Sequence, residues 1–193
     1  MLLMPLGAVP PSVSRSAGSR PRIAGFVPRL EARLARTPPQ DVDLQYLLGS
    51  ELLVAPVFEP DAVERQGYLP AGGWYDFWTE AQLAGGGWLS VAAPLGSVPL
   101  FVCAGRILPL GSPEQFVGQA GTTELSLQVY PRDGEAEYVL REDGGQTRLV
   151  YRDGQLSIVP EGDVLRERTY HVRLAGQARA RTHQVSGPTT IHL

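Results

Sequence analysis

No lysine and no asparagine occur anywhere in the chain, and cysteine occurs once, at Cys103. One cysteine excludes an intramolecular disulfide and any site built from several cysteines. Without lysine there is no phosphate loop of the type that closes on that residue. No Gly-x-Ser-x-Gly elbow is present for a nucleophilic serine. No apolar run approaches the ~18 residues of a membrane-crossing helix, so no membrane partner is expected. Net charge is −3, and that balance does not favour a nucleic-acid partner. At 193 residues the chain is too short for a complete barrel enzyme, which takes ~250. It holds one domain or two small ones.

What the chain has in quantity is glycine and proline, 22 and 17 residues. That share points to many turns and short strands rather than to helix bundles. The charge is unevenly spread, since residues 1–40 hold six arginines and a single acid, Glu31. The same stretch carries seven prolines and keeps no period of 2 or 3.6. It is expected to be an irregular leader, with two helical turns at Leu30 to Arg36 stopped by Pro38 and Pro39. Met1 to Val9 is apolar but has no basic residue before it and ends at Pro10, unlike a secretion signal. A cytoplasmic location is therefore the expectation.

From Asp41 onward short apolar runs alternate with turn residues. Leu52 to Val57, Gly67 to Pro70, Trp74 to Trp78, Trp88 to Ala92, Val98 to Val102 and Ile107 to Leu110 read as strands of one sheet-rich unit. Further on, Asp133-Gly134, Asp143-Gly144 and Asp153-Gly154 fall ten residues apart. Asp-Gly suits the positive φ angles of tight hairpin turns. The flanking segments alternate: Leu125, Leu127 and Val129 share one face, with Ser126, Gln128 and Tyr130 on the other, wet face. This predicts a second β-sandwich, joined to the first near Ser112 to Gln115.

Candidate chemistry is sparse. His171, His183 and His192 show no ligand spacing, so no metal site and no cofactor is expected. Cys103 reads as a small buried hydrophobe. Glu142 and Asp143 precede two glycines and read as a hairpin tip, since a calcium loop needs more acidic ligands at alternating positions. Glycoside cleavage needs two carboxylates facing one sugar from opposite sides, whereas acids in a hairpin-rich sandwich scatter over turns and the wet face. Trp74, Trp78 and Trp88 admit two readings: they fill a core, or they stack on sugar rings as a carbohydrate-binding surface. Trp74 and Trp78, four apart, are expected to point the same way on one strand.

The ordered segments resemble a known family. Gln45-Tyr46-Leu47-Leu48-Gly49-Ser50-Glu51-Leu52-Leu53-Val54-Ala55-Pro56-Val57, then Tyr68 to Thr79, then Ala93-Pro94-Leu95, Val98 to Val102 and Ala104 to Leu110 are similar to glycoside hydrolase family thirty-one, the α-glucosidases and α-xylosidases. Val129-Tyr130-Pro131 and Glu142-Asp143-Gly144 look like that family's distal C-terminal domain. The resemblance implies a proximal and a distal β-sandwich lying after a catalytic barrel. The family's nucleophile and acid/base are barrel aspartates, and no position here matches either motif, so no catalytic residue is carried over. The family usually has Arg where Cys103 stands and Asp where Ser50 stands. Residues 1–40 do not resemble it, and a shifted reading frame or misplaced start produces such a switch.

The expected fold is all-β: an irregular leader at 1–40, a proximal β-sandwich at 41–112 and a distal one at 113–193, both antiparallel. The expected function is that of an accessory C-terminal region of an α-glycosidase, scaffolding a barrel and without catalysis of its own. Two alternatives stand beside it. One is a carbohydrate-binding module using Trp74, Trp78 and Trp88, and the other is the non-catalytic half of a split α-glycosidase. The expected partners are a separately encoded catalytic barrel and further copies of the chain.

Overall fold

The computed structural model describes residues 45–111, 123–142, 144–164 and 167–193. The leader, its helical turns and the joint at 112–115 lie outside these residues. The described residues form β-strands and no helix. The first eight strands are β1 (Tyr46–Leu48), β2 (Leu52–Val54), β3 (Glu64–Leu69), β4 (Gly73–Asp76), β5 (Gln82–Ala84), β6 (Gly87–Ala92), β7 (Leu100–Cys103) and β8 (Arg106–Leu110). Five of them form an antiparallel sheet in the order β1-β2-β7-β4-β5, and β3 pairs with β6 as a separate ribbon. Leu47, Leu53, Trp74 and Phe101 of the sheet share one buried core with Leu69, Leu89 and Val91 of the ribbon. Gln45 stitches the two layers. Its amide donates to Tyr68 O at 2.6 Å and accepts from Tyr68 N at 2.9 Å, satisfying both backbone groups as a strand neighbour does.

The remaining strands are β9 (Glu124–Tyr130), β10 (Glu135–Glu142), β11 (Gly145–Arg152), β12 (Gln155–Gly162), β13 (Arg168–Leu174), β14 (Arg181–Val185) and β15 (Thr189–His192). With β8 they make one sheet in the order β14-β13-β9-β8-β10-β11-β12-β15. Every one of these strands contributes a buried side chain to a single core, including Ile107, Leu127, Leu149, Ile158, Val172 and Ile191. The sheet therefore folds over so that its two halves face each other. Arg181 of β14 donates to His192 O of β15 at 3.2 Å, bringing the two edges together. Two pairings depart from the antiparallel expectation: β13 runs parallel to β9, and β10 meets β8 in parallel. The two-residue turns follow their sequence signal. Asp133 and Gly134 sit at φ 51° and 81°, and Asp153 and Gly154 at 42° and 87°. At Gly134 the positive φ of 81° favours glycine, and an added Cβ would displace the Asp153 carboxylate, 2.4 Å away.

The joint between the sheets is the hairpin β7–β8, whose arms lie in different sheets. At its turn, Gly105 donates to Tyr130 O at 2.7 Å and Ala104 to Gly73 O at 3.0 Å. Tyr75, Val102, Leu108 and Tyr130 form a third core there. The Tyr75 and Tyr130 rings meet edge-on, with centroids 5.3 Å apart. Tyr75 donates its hydroxyl to Pro131 O at 2.7 Å and accepts from Gln82 Nε2 at 2.9 Å. Tyr130, expected on the wet face, is thus fully buried, because the wet face of β9 here becomes an inter-sheet contact. Burial holds its phenol neutral, raising its pKa to about 12. A second clasp comes from Glu80 in the β4–β5 turn, which pairs with Arg173 and accepts Gly176 N at 2.8 Å.

The clasp makes a pH-dependent contribution. The Arg173 guanidinium, hydrogen-bonded to Glu80, holds that carboxyl below its ordinary value of 4.5 against the opposing effect of burial. A lowered folded-state pKa contributes stability that is complete above the unfolded value and fades as pH falls through the folded one. Glu80→Gln is expected to lower the thermal midpoint at about pH 7, with the gap to the wild type narrowing as the pH falls below the ordinary carboxylate value of 4.5. Melting curves above and below that value check this, and a gap that stays constant contradicts it.

Candidate functional site

The three tryptophans do not share a surface. Trp74 lies inside the first core, 2% exposed, with its indole N–H donating to Pro70 O at 2.8 Å. It is a core residue that shares no surface with Trp78 and Trp88, which corrects the three-ring platform, and it also lines the cleft described below. The strand carrying it stops at Asp76, whose carboxylate accepts Trp78 N at 3.0 Å and Thr79 N at 2.7 Å. That turn, rather than a continued strand, sends Trp78 outward, 56% exposed and donating to Val98 O at 2.8 Å. Trp88 is 44% exposed on the ribbon, edge-on to Tyr68.

Trp78 and Trp88 belong to a wider pattern. Tyr46, Leu48, Phe58, Val63, Leu95 and Val98 are also exposed large apolar residues, all in the first unit, whereas the second unit adds only Val159 among the described residues. On β1 the alternation is regular, with Tyr46 and Leu48 outward and Leu47 inward. An apolar β1 flank on both sides is the pattern of a strand covered by a neighbour, not of one with a wet face.

The polar groups that sequence reasoning passed over are structural. Glu51 is buried, and its carboxylate accepts Ser50 N at 2.9 Å and the Ser50 hydroxyl. Glu142 stands at the tip of the β10–β11 hairpin, opposite Gly145, as expected. There it also meets Arg168 in a two-pronged pair, at 2.5 and 3.2 Å. The Arg168 side chain is completely buried there. Desolvation opposes its charge, and its hydrogen bonds to Glu142 and Tyr170 more than offset that, raising its pKa. Only the folding-over of the sheet brings β10 and β13 within reach, so no local pattern could have paired them. Among the described residues no group of three His, Cys, Asp or Glu side chains is placed to hold a metal.

A cleft of about 510 Å³ opens beside the joint. Its floor is small: Gly72, Gly73, Ala104 and Gly105, with Cys103 alongside. Its rim carries three ion pairs, Arg106–Glu137 at 3.2 Å, Arg152–Glu135 at 3.4 Å and Arg132–Asp133 at 3.6 Å. Cys103 is half-buried: it packs against the first core, as a small hydrophobe, and also lines this cleft.

The described residues define an all-β unit of a five-stranded sheet, an eight-stranded sheet and a two-stranded ribbon. Comparison with known proteins gives its relatives. Residues 35–108 match the glycosyl hydrolase family 31 C-terminal domain. The chain is 38% identical over 122 residues to the α-xylosidase of Saccharolobus solfataricus, covering 62% of this chain and 16% of that one. It is 33% identical over 104 residues to α-glucosidase 2 of Bacillus thermoamyloliquefaciens, covering 53% and 13%. The crystal structure of the family 31 α-xylosidase from Xanthomonas citri superposes with a TM-score of 0.68 at 31% identity, over 78% of this chain and 19% of that one. By sequence and by fold, the matched region is similar to a family 31 C-terminal domain. The chain spans less than a fifth of each of these relatives.

Removing one partner of a buried ion pair leaves the other charge in a dry environment, which costs about 3–5 kcal/mol. Glu142→Ala is expected to destabilise the second unit by about that amount, whereas Glu137→Ala, at the exposed rim pair, costs under about 1 kcal/mol. Urea titrations of the two variants check the ranking; equal midpoints contradict it.

Proposed function

We propose that this chain serves as the accessory C-terminal region of a family 31-type α-glycosidase. In this role the first unit packs its apolar flank against a catalytic barrel, in a longer chain or in a partner chain, and the second unit braces the first through the Tyr75–Tyr130 joint. One observation carries the reading: the exposed large apolar residues fall almost entirely in the first unit, the part that the family model covers. The relatives named as α-xylosidase and α-glucosidase supply the reaction class of the barrel. Retaining chemistry needs a nucleophile and a proton donor about 5–5.5 Å apart. Here the strongly held carboxylates, Glu80 and Glu142, are each committed to an arginine. In this reading the active groups belong to the barrel.

Two expectations test this. The purified chain turns over no aryl α-glucoside or α-xyloside above the uncatalysed rate, and turnover that survives repurification sinks the proposal. Without a barrel, the same flank drives copies of the chain together. Covering one Leu-sized side chain stabilises association by roughly 1.5–3 kcal/mol, about one to two orders of magnitude in Kd. Tyr46→Glu with Leu48→Glu is therefore expected to convert a self-associating chain to monomer in sedimentation velocity, while Val159→Glu leaves association unchanged. A wild-type chain that is already monomeric at tens of micromolar contradicts the exposed-flank argument.

A further inference from the structure

The cleft beside the joint is assigned no role by the scaffold reading, and none of the exposed apolar residues of the first unit lines it. Its volume falls within the roughly 300–1,000 Å³ of small-molecule sites, and junctions between units are where such sites concentrate. The chemistry of its walls narrows the ligand. The floor glycines and alanines bring backbone close to any occupant. The carbonyls of that backbone are largely engaged within the protein: Gly72 O accepts Gly85 N at 2.8 Å, Gly73 O accepts Ala104 N at 3.0 Å and Gly105 O accepts Glu137 N at 3.1 Å. Recognition therefore falls to the rim. There, three arginines face three carboxylates, so the rim has no net charge and offers no bias toward an anion or a cation. It offers donors and acceptors in alternation instead. A guanidinium has five N–H donors and a carboxylate about four acceptor sites, and each single-contact pair here uses few of them. A ligand rich in hydroxyls, each able to donate and accept, fits such a rim. A phosphate uses only the donors and meets the carboxylates with repulsion.

We propose that this cleft binds a short neutral oligosaccharide, with the Arg106–Glu137 and Arg152–Glu135 pairs holding its hydroxyls. The ligand class rests on the α-glycosidase reading; the site itself does not. A non-catalytic sugar site beside the joint would keep a polymeric substrate near the barrel that the first unit carries. It would also tie both units to one ligand.

Cys103 supplies the readout, since it is the chain's sole thiol and lines the cleft. Alkylation of the full chain by a bulky maleimide is followed with and without maltotriose or isomaltotriose. At about ten times a millimolar Kd, occupancy of the site slows labelling about tenfold. Ala71→Trp, which narrows the mouth, and the double variant Arg152→Ala/Glu135→Ala are each expected to abolish the protection by sugar. Inorganic phosphate is expected to give none. The proposal is overturned if neither sugar protects, if phosphate protects as well as sugar, or if protection persists in the double variant. The scaffold reading is judged separately by the sedimentation behaviour of Tyr46 and Leu48 variants, whose side chains lie outside this cleft.

Discussion

The structure depends on one hairpin whose two arms separate. β7 completes the five-stranded sheet, and β8, after a turn of two small residues, enters the middle of the eight-stranded one. Around that turn the Gly105–Tyr130 and Ala104–Gly73 backbone bonds and the Tyr75–Tyr130 contact fix one sheet against the other. Gly105 can take its φ of 82° without a Cβ penalty, and an added Cβ there would press on Arg132 at 3.4 Å. Without this turn, β8 would be lost from between β9 and β10, and the folded-over sheet would lose its central strand. The cleft follows from this arrangement, since the residues of the turn line it.

Much of this was legible in the sequence. The Asp-Gly turns, the alternation of Leu125, Leu127 and Val129, and the short strands of the first unit all rest on local chemistry: positive φ at a turn and period two along a strand. The motifs from Gln45 to Leu110 also pointed to the right family region. What stayed hidden depends on contacts far apart in sequence. Tyr130 follows the outward parity of its strand, and only the approach of β4 turns that outward face into a core. Glu142 is the hairpin tip its sequence suggests, but its pairing with Arg168 of β13 could not be read there. The expected boundary near residue 112 placed β8 with the first unit, because strand composition says nothing about which sheet a strand joins. Trp78 left the strand of Trp74 because Asp76 captures the next backbone N–H groups, a signal present in the sequence as Asp followed by Thr three residues on.

The charged groups divide by position into two uses. Inside and at the joint, acids are paired to arginine and serve architecture, as Glu80 does with Arg173 and Glu142 with Arg168. At the cleft rim the pairs are more open and solvated, and their energetic worth to folding is small. A chain with arginine as its only long cation gains planar, multi-donor groups at every such position. That suits both the two-pronged buried pair and a rim that addresses hydroxyl groups.

The central claim is that the first unit carries a barrel on its apolar flank. The most direct measurement replaces the matching C-terminal region of the Saccharolobus solfataricus α-xylosidase with residues 35–193 of this chain and assays xyloside hydrolysis. The account predicts that the chimera is folded and active, and that Tyr46→Glu with Leu48→Glu in the graft removes that activity while Val159→Glu leaves it intact. A chimera equally active with and without the charged flank would contradict it.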